Sequence, residues 1–168
     1  YVLQRLLAPK KPVVLAAARG FTQYGYAFVQ QDADELEARD FSRSEAMRQR
    51  ARRLYQRARN YGLRALDQQH AGFQTLLATN PKAAAAKIGP RGVEALYWTA
   101  AAWGAAIALS KDDPDSVAQV PQLEALIDRA YALEPDWQWG TLHSFLVTYE
   151  MARQGATGKP ADRARVHF

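Results

Sequence analysis

The stretch LYWTAAAWGAAIALSKDD, residues 96–113, decides how this chain folds. No charged side chain falls between Leu96 and Leu109. Large groups (Tyr97, Trp98, Trp103, Ile107) stand among six alanines and Gly104. Alanine loses no side-chain entropy on entering a helix, so the run favours helix. A helix apolar on every side either spans a membrane or is enclosed by other helices. This one is shorter than the ~20 residues a bilayer needs, and Glu94 and Lys111 flank it closely. It reads as the central helix of an all-α protein. Its small residues let neighbouring backbones approach, and Gly104→Leu is expected to force close-packed helices apart at a cost of about 1–3 kcal/mol.

The flanking chain is helical as well. Before residue 13, residues 1–7 read as a helical tail. From 13 to 39, Val14, Ala17, Phe21, Tyr24, Phe28 and Leu36 recur at steps of three and four near one face. That helix ends acidic, with Asp32, Asp34, Glu35, Glu37 and Asp40. Ser42 and Glu45 fit a capping box that opens a second helix running to about Gln68. Met47, Ala51, Leu54, Tyr55, Ala58, Tyr61, Gly62 and Leu66 form its inner stripe, and eight arginines lie mostly off it. An antiparallel hairpin would set the acidic end of the first helix beside the arginine-rich start of the second. Exposed pairs contribute only about 0–1 kcal/mol each, so the pairing orients more than it stabilises.

Further on, residues 70–79 read as a short helix. Asn80-Pro81 caps another, and Gly89-Pro90 with Gly92 forms the turn into the central helix. Asp113-Pro114 starts a loop or single turn, Pro121 opens a helix, and Asp136 caps the next. Residues 155–158 break that helix, and Pro160 starts a last one that reaches Phe168. A shift of about 41 residues lays Trp98 on Trp139, Ala101 on Leu142, Ala105 on Leu146, Leu123 on Ala164 and Ile127 on Phe168. The expected fold is therefore all-α: stacked antiparallel helical hairpins of tetratricopeptide-like character, an α-solenoid or bundle. We take residues 1–168 as a single such domain, incomplete at both ends, since the chain opens on Tyr1 and stops inside a helical pattern.

Composition narrows the chemistry. The chain has no cysteine, which excludes disulfides, thiolate ligands and cysteine nucleophiles within these residues. His70, His143 and His167 are far apart in sequence with no ligand partner at i+3 or i+4, so no metal site and no cofactor are expected. No phosphate-binding loop, nucleophile elbow or dinucleotide fingerprint is present. These absences point away from an enzyme. A net charge of +5 suits an acidic partner but does not by itself indicate nucleic acid. The aromatics of the arginine-rich helix, Tyr55 and Tyr61, are expected on its core side rather than as base-stacking platforms.

The rings of Tyr24, Tyr26, Phe28, Tyr97, Trp98, Trp103, Trp137 and Trp139 fit core packing, and they also fit an apolar cleft of the kind helical repeats present. The residues expected along such a ligand path are Tyr24, Tyr26, Phe28, Tyr97, Trp98 and Trp103, with Lys111 and Asp112 at a polar mouth.

Three segments carry a family resemblance: YGYAFVQQDADELE from Tyr24, RRLYQRARNYGLRAL from Arg52, and LYWTAAAWGAAIALSKD from Leu96. In these the chain resembles the T component associated with TRAP transporters, a tetratricopeptide-like periplasmic lipoprotein family. The resemblance implies helical hairpins, self-association into a small ring such as a trimer, and a periplasmic location. It also implies a partner, the periplasmic solute-binding P component. The implied role is non-catalytic delivery of a hydrophobic or organic-acid ligand to an importer. No lipobox cysteine is present, so a lipid anchor is not legible in these residues. The rival reading is a tetratricopeptide-like protein–protein adaptor with no small-molecule ligand.

Overall fold

In the computed structural model, residues 11–168 are described, and every regular element among them is helical. The helical tail read over residues 1–7 lies outside them. Helix α1 spans Lys11–Gly25 and runs through a π-helical segment, Tyr26–Gln30, into α2, Gln31–Leu36. The long α3 covers Phe41–Gln69, and the short α4 (Phe73–Thr79) and α5 (Pro81–Ala86) follow. A 3₁₀ turn at Pro90–Gly92 leads into the central helix α6, Val93–Ala108. Helix α7 is a single turn, Pro114–Val117; α8 spans Val120–Leu133, α9 Trp137–Ala152 and α10 Pro160–Arg165. The all-α class is as the sequence predicts.

The central helix is walled in. Val93, Ala95, Leu96, Trp98, Thr99, Ala100, Ala102, Trp103 and Ala106 are buried. They pack mainly against α3 on one side and α8 on the other. The tightest approach is not at Gly104. A Cβ there would meet Leu123 and Phe145 at an ordinary 3.7 Å. At Gly62 on α3, a Cβ would be driven into the Thr99 hydroxyl and lie 3.0 Å from Thr99 Cβ. Thr99 faces α3 because its hydroxyl is donated back to the Ala95 carbonyl, which satisfies the polar group inside an apolar contact.

The first hairpin also departs from the expected pattern. Its buried face is the small-residue row Val14, Ala18, Thr22, Gly25, Val29 and Ala33, spaced by four or three. Tyr24 and Phe28 therefore point outward, because the small residues of α1 take the contact with α3 and the Tyr55 ring already fills the space between the two helices. At Gly25 a Cβ would sit 3.0 Å from the Tyr55 ring. The cap of α3 is Asp40, whose carboxylate accepts from the Arg43 N–H; Ser42 lies inside the helix, so the capping box does not form. Ser44 instead donates to the Ala33 carbonyl and stitches the hairpin shut. The expected charge pairing is present and centred on Arg48, which holds Asp34, Glu37 and Glu45.

A second charged cluster ties the C-terminal helices together. Glu150 is buried and accepts from Arg163 Nε at 2.8 Å and from Arg153 at 2.9 Å. Arg153 also grips Asp128 and Glu124 on α8. Arg163 reaches the Gly158, Glu150 and Arg153 carbonyls and so anchors α10. The 41-residue repeat does not carry through here: Trp98 is buried, whereas Trp139 stands fully in solvent. The reason is a left-handed run at Gln138, Trp139 and Gly140, which delays regular helix until Thr141. Asp136 holds the N-cap position without a side-chain cap bond.

Two outcomes follow for stability. Gly62→Ala lowers the unfolding free energy by about 1–3 kcal/mol through overpacking against Thr99. Gly104→Ala is neutral or stabilising by up to about 1 kcal/mol through helix propensity. Chemical denaturation of both variants checks the contrast, and equal stability would contradict the α3–α6 contact. At Glu150, burial raises the carboxyl pKa, but the Arg163 and Arg153 hydrogen bonds outweigh it and hold the group below its ordinary value. A depressed folded-state pKa gives stability that is present above the unfolded value, about 4.3, and lost as pH falls through the folded one. Glu150→Gln should flatten this acid limb of the stability profile; an unchanged limb would dismiss the clasp.

Candidate functional site

The residues expected along a ligand path fall in three places. The first is a ring cluster in the core. Tyr97 packs edge-on to Trp98 at 5.0 Å, against Trp137 at 5.1 Å and edge-on to Phe145 at 6.3 Å. Burial pushes the Tyr97 phenol pKa up. Trp98 Nε1 is buried and has no acceptor among the described residues. A buried indole N–H without a partner is uncommon.

The second place lies one turn and more along α6. Trp103 donates its indole N–H to Gln119 Oε1 at 3.0 Å, and the Arg59 guanidinium lies over its ring at 5.1 Å. Burial lowers the Arg59 pKa, so this cation sits in a partly dehydrated seat between α3 and the α7–α8 turn. Beyond the helix end, Lys111 and Asp112 are exposed in the turn before Asp113. Asp113 itself pairs with Arg52 at 3.0 Å and accepts from the Ser116 hydroxyl at 2.7 Å. Arg52 thus closes the side of this turn, and Arg59 and Gln119 are the site residues that sequence reasoning passed over. Both are ordinary surface types whose value comes only from meeting Trp103 in space.

The third place is the π segment. An extra residue in a helical turn re-aims the side chains around it, and such turns recur at functional sites. Here Val29 is buried, while Tyr24, Tyr26 and Phe28 are 43%, 55% and 65% exposed. Tyr24 and Phe28 stack at 5.7 Å. The inner side of the segment is fixed by Tyr55, which is buried on α3 and donates its hydroxyl to Gln30 Oε1 at 2.7 Å. Burial, then the nearby Tyr26 and Asp34, hold the Tyr55 phenol well above its ordinary pKa. Val29 and Tyr55 share a small core with Ala51 and Ala106, so the π segment and the C-terminal end of α6 are neighbours.

Two surface concavities lie elsewhere. One, of about 360 Å³, runs along α3 beside Arg53, Arg57, Tyr61 and Arg64. Tyr61 belongs to this groove and stacks on Phe21 at 5.8 Å, rather than lying in the core. The other, of about 470 Å³, opens between α9 and the chain after α10, beside Trp139, His143, His167 and Phe168. His143 and His167 were far apart in sequence, yet their Nδ1 atoms are 3.4 Å apart, and Tyr131 meets both rings edge-on. Burial and the adjacent His143 hold the His167 pKa below its usual value. The contact sets the segment after α10 against α9. Among the described residues no group of three His, Cys, Asp or Glu is placed to hold a metal.

The comparisons with known proteins fit this architecture. The sequence profile of the TRAP transporter T-component family matches residues 3–168. The chain belongs to the TRAP transporter T-component family. An uncharacterised protein of Treponema pallidum (strain Nichols) is 28% identical over 158 residues, which cover 92% of this chain and 49% of that protein. The chain thus spans about half the length of the curated relative it matches. No helix among the described residues of this T-component chain is long and apolar enough to cross a membrane.

The Tyr55–Gln30 bond gives a direct test of what holds the π segment. Tyr55→Phe removes it and should cost about 0.5–1.5 kcal/mol. Backbone hydrogen exchange should rise across Tyr26–Gln30 and stay unchanged in α8. Exchange in the π segment equal to that of the parent chain would show that other contacts hold it.

Proposed function

We propose that this chain is a non-catalytic accessory component of a TRAP-type solute import system, acting in the periplasm. It binds the periplasmic solute-binding component and self-associates into a small ring. It also holds a hydrophobic or organic-acid ligand along the aromatic residues of α6. Family membership supports the accessory role. The observation that supports a ligand is the orphan indole N–H of Trp98 within the Tyr97–Trp137–Phe145 ring cluster. An apolar or aromatic acid would offer an oxygen to that donor and a face to the rings. Trp103, flanked by Arg59 and Gln119, would continue the path toward Lys111 and Asp112. The exposed rings of Tyr24, Tyr26 and Phe28 would lie at its outer end.

The mechanism is passive. A carboxylate passing α6 would find a partly dehydrated guanidinium at Arg59 and no group arranged for bond making. Anchoring through a lipid would lie outside these residues. The second reading, an adaptor with no small-molecule ligand, is favoured by the close packing of Trp98 and Trp137, each only 8% exposed.

Native mass spectrometry of the chain with its solute-binding component tests the proposal. The expected spectrum holds a complex of the two proteins, an oligomer of this chain, and a small-molecule adduct that Trp98→Phe loses. A complex without any adduct would favour the adaptor reading. No complex at any salt concentration would overturn the accessory role.

A further inference from the structure

The hairpin α1–α3 carries cations without carboxylates to match. Residues 11–31 contain no Asp or Glu, and neither do residues 46–66. Arg43, Arg50, Arg57 and Arg64 follow one another at intervals of seven along α3, all exposed, with Arg53 beside them. Seven residues are two helical turns, so these four guanidinium stems form a row with steps of about 10 Å and a length of about 31 Å. The acidic end of the first helix does not neutralise them, because Asp34 and Glu37 are taken by Arg48 on another side of α3. Asp67, just beyond the row, is engaged by the Gln74 N–H.

The row is held in place rather than loose. Arg57 lies over the Phe21 ring at 5.3 Å, Arg64 over Tyr61 at 5.6 Å, and Arg50 donates to the Tyr24 hydroxyl at 3.3 Å. Phe21 and Tyr61 stack almost parallel beneath them. Guanidiniums seated on rings lose less freedom on binding than free side chains do. Beside them the exposed Tyr24 and Phe28 supply apolar area, and tyrosine and arginine are both enriched among the residues that carry binding energy at protein interfaces.

We infer that the α1–α3 face is a docking surface for an acidic helix of a partner protein, one that carries carboxylates at heptad intervals opposite Arg43, Arg50, Arg57 and Arg64. The inference deepens the reading of this chain as a scaffold for a periplasmic partner and rests on it. A step of two helical turns matches a second helix laid alongside. Phosphates along a nucleic-acid strand recur several times more densely, and the rings under the row are already covered by cations, so they are not stacking platforms. A membrane surface would call for a broad apolar face beside the basic one; α3 turns its apolar face to the core, which leaves the stacked Tyr24 and Phe28 rings as the apolar area beside the row.

The test compares the parent chain with the triple variant Arg50→Gln, Arg57→Gln, Arg64→Gln. A control triple, Lys82→Gln, Lys87→Gln, Arg91→Gln, removes the same charge from a different exposed region. Circular dichroism and thermal melting establish that both variants fold. Two probes are used: the purified solute-binding component, and a synthetic helical peptide with glutamates every seven residues. The docking surface is supported if binding falls about tenfold or more in the first variant, stays at the parent level in the control, and weakens as salt rises. Equal binding by the parent and the first variant overturns it, as does an equal loss in both variants. If the solute-binding component does not bind the parent chain, the scaffold reading fails. The peptide then decides the surface alone: selective loss supports it, and no peptide binding overturns it. Tighter binding to single-stranded DNA or to anionic phosphatidylglycerol vesicles than to the peptide also overturns it.

Discussion

One close approach sets the rest of the structure: α3 and α6 meet where Gly62 faces Thr99, with no space for a Cβ between them. An alanine-rich helix has little surface of its own to bury, so it gains from packing only when a neighbour comes very near. Gly62 permits that nearness, and Thr99 closes its own hydroxyl onto Ala95 so that nothing polar is stranded. With α3 fixed this tightly, α1 can lie along it through the small row from Val14 to Ala33 and touch α6 as well, and α8 can seal the opposite flank of α6.

The division of charge follows from the same geometry. Arg48 collects the carboxylates of the first helix, Arg52 and Arg59 turn toward the end of α6, and the heptad row is left facing solvent on the α1 side. A single helix thus serves three neighbourhoods through arginines spaced a few residues apart. Membership of the T-component family ties this arrangement to a TRAP transporter.

Much of the architecture was legible in the sequence. The apolar run of α6, the Asn80-Pro81 and Asp113-Pro114 starts and the Arg48 pairing all follow from local residue chemistry. The face of α1 was not read correctly, because aromatic residues dominate a periodicity count and small ones do not. Yet Val14, Ala18, Thr22, Gly25, Val29 and Ala33 carry the better helical spacing, and that signal was available. Other features had no local signal. Glu150 with Arg163, and His143 with His167, are partners brought together only by the packing of α8, α9 and α10. The left-handed run at Gln138 and Trp139 likewise contradicts local preference, since neither residue favours a positive φ.

The π segment has a consequence for how this chain tolerates change in length. A π turn holds one residue more than an α turn, and removing any one of Tyr26–Gln30 would let the helix close with ordinary bonding. The turn would still close through a full circle with one residue fewer, so Val14, Ala18 and Thr22 would keep their side toward α3. A deletion in the regular part of the same rod has no spare residue to absorb it: everything before it would rotate by about 100° about the axis and the small row would swing off α3. This one turn is therefore where the hairpin can lose a residue and keep its register.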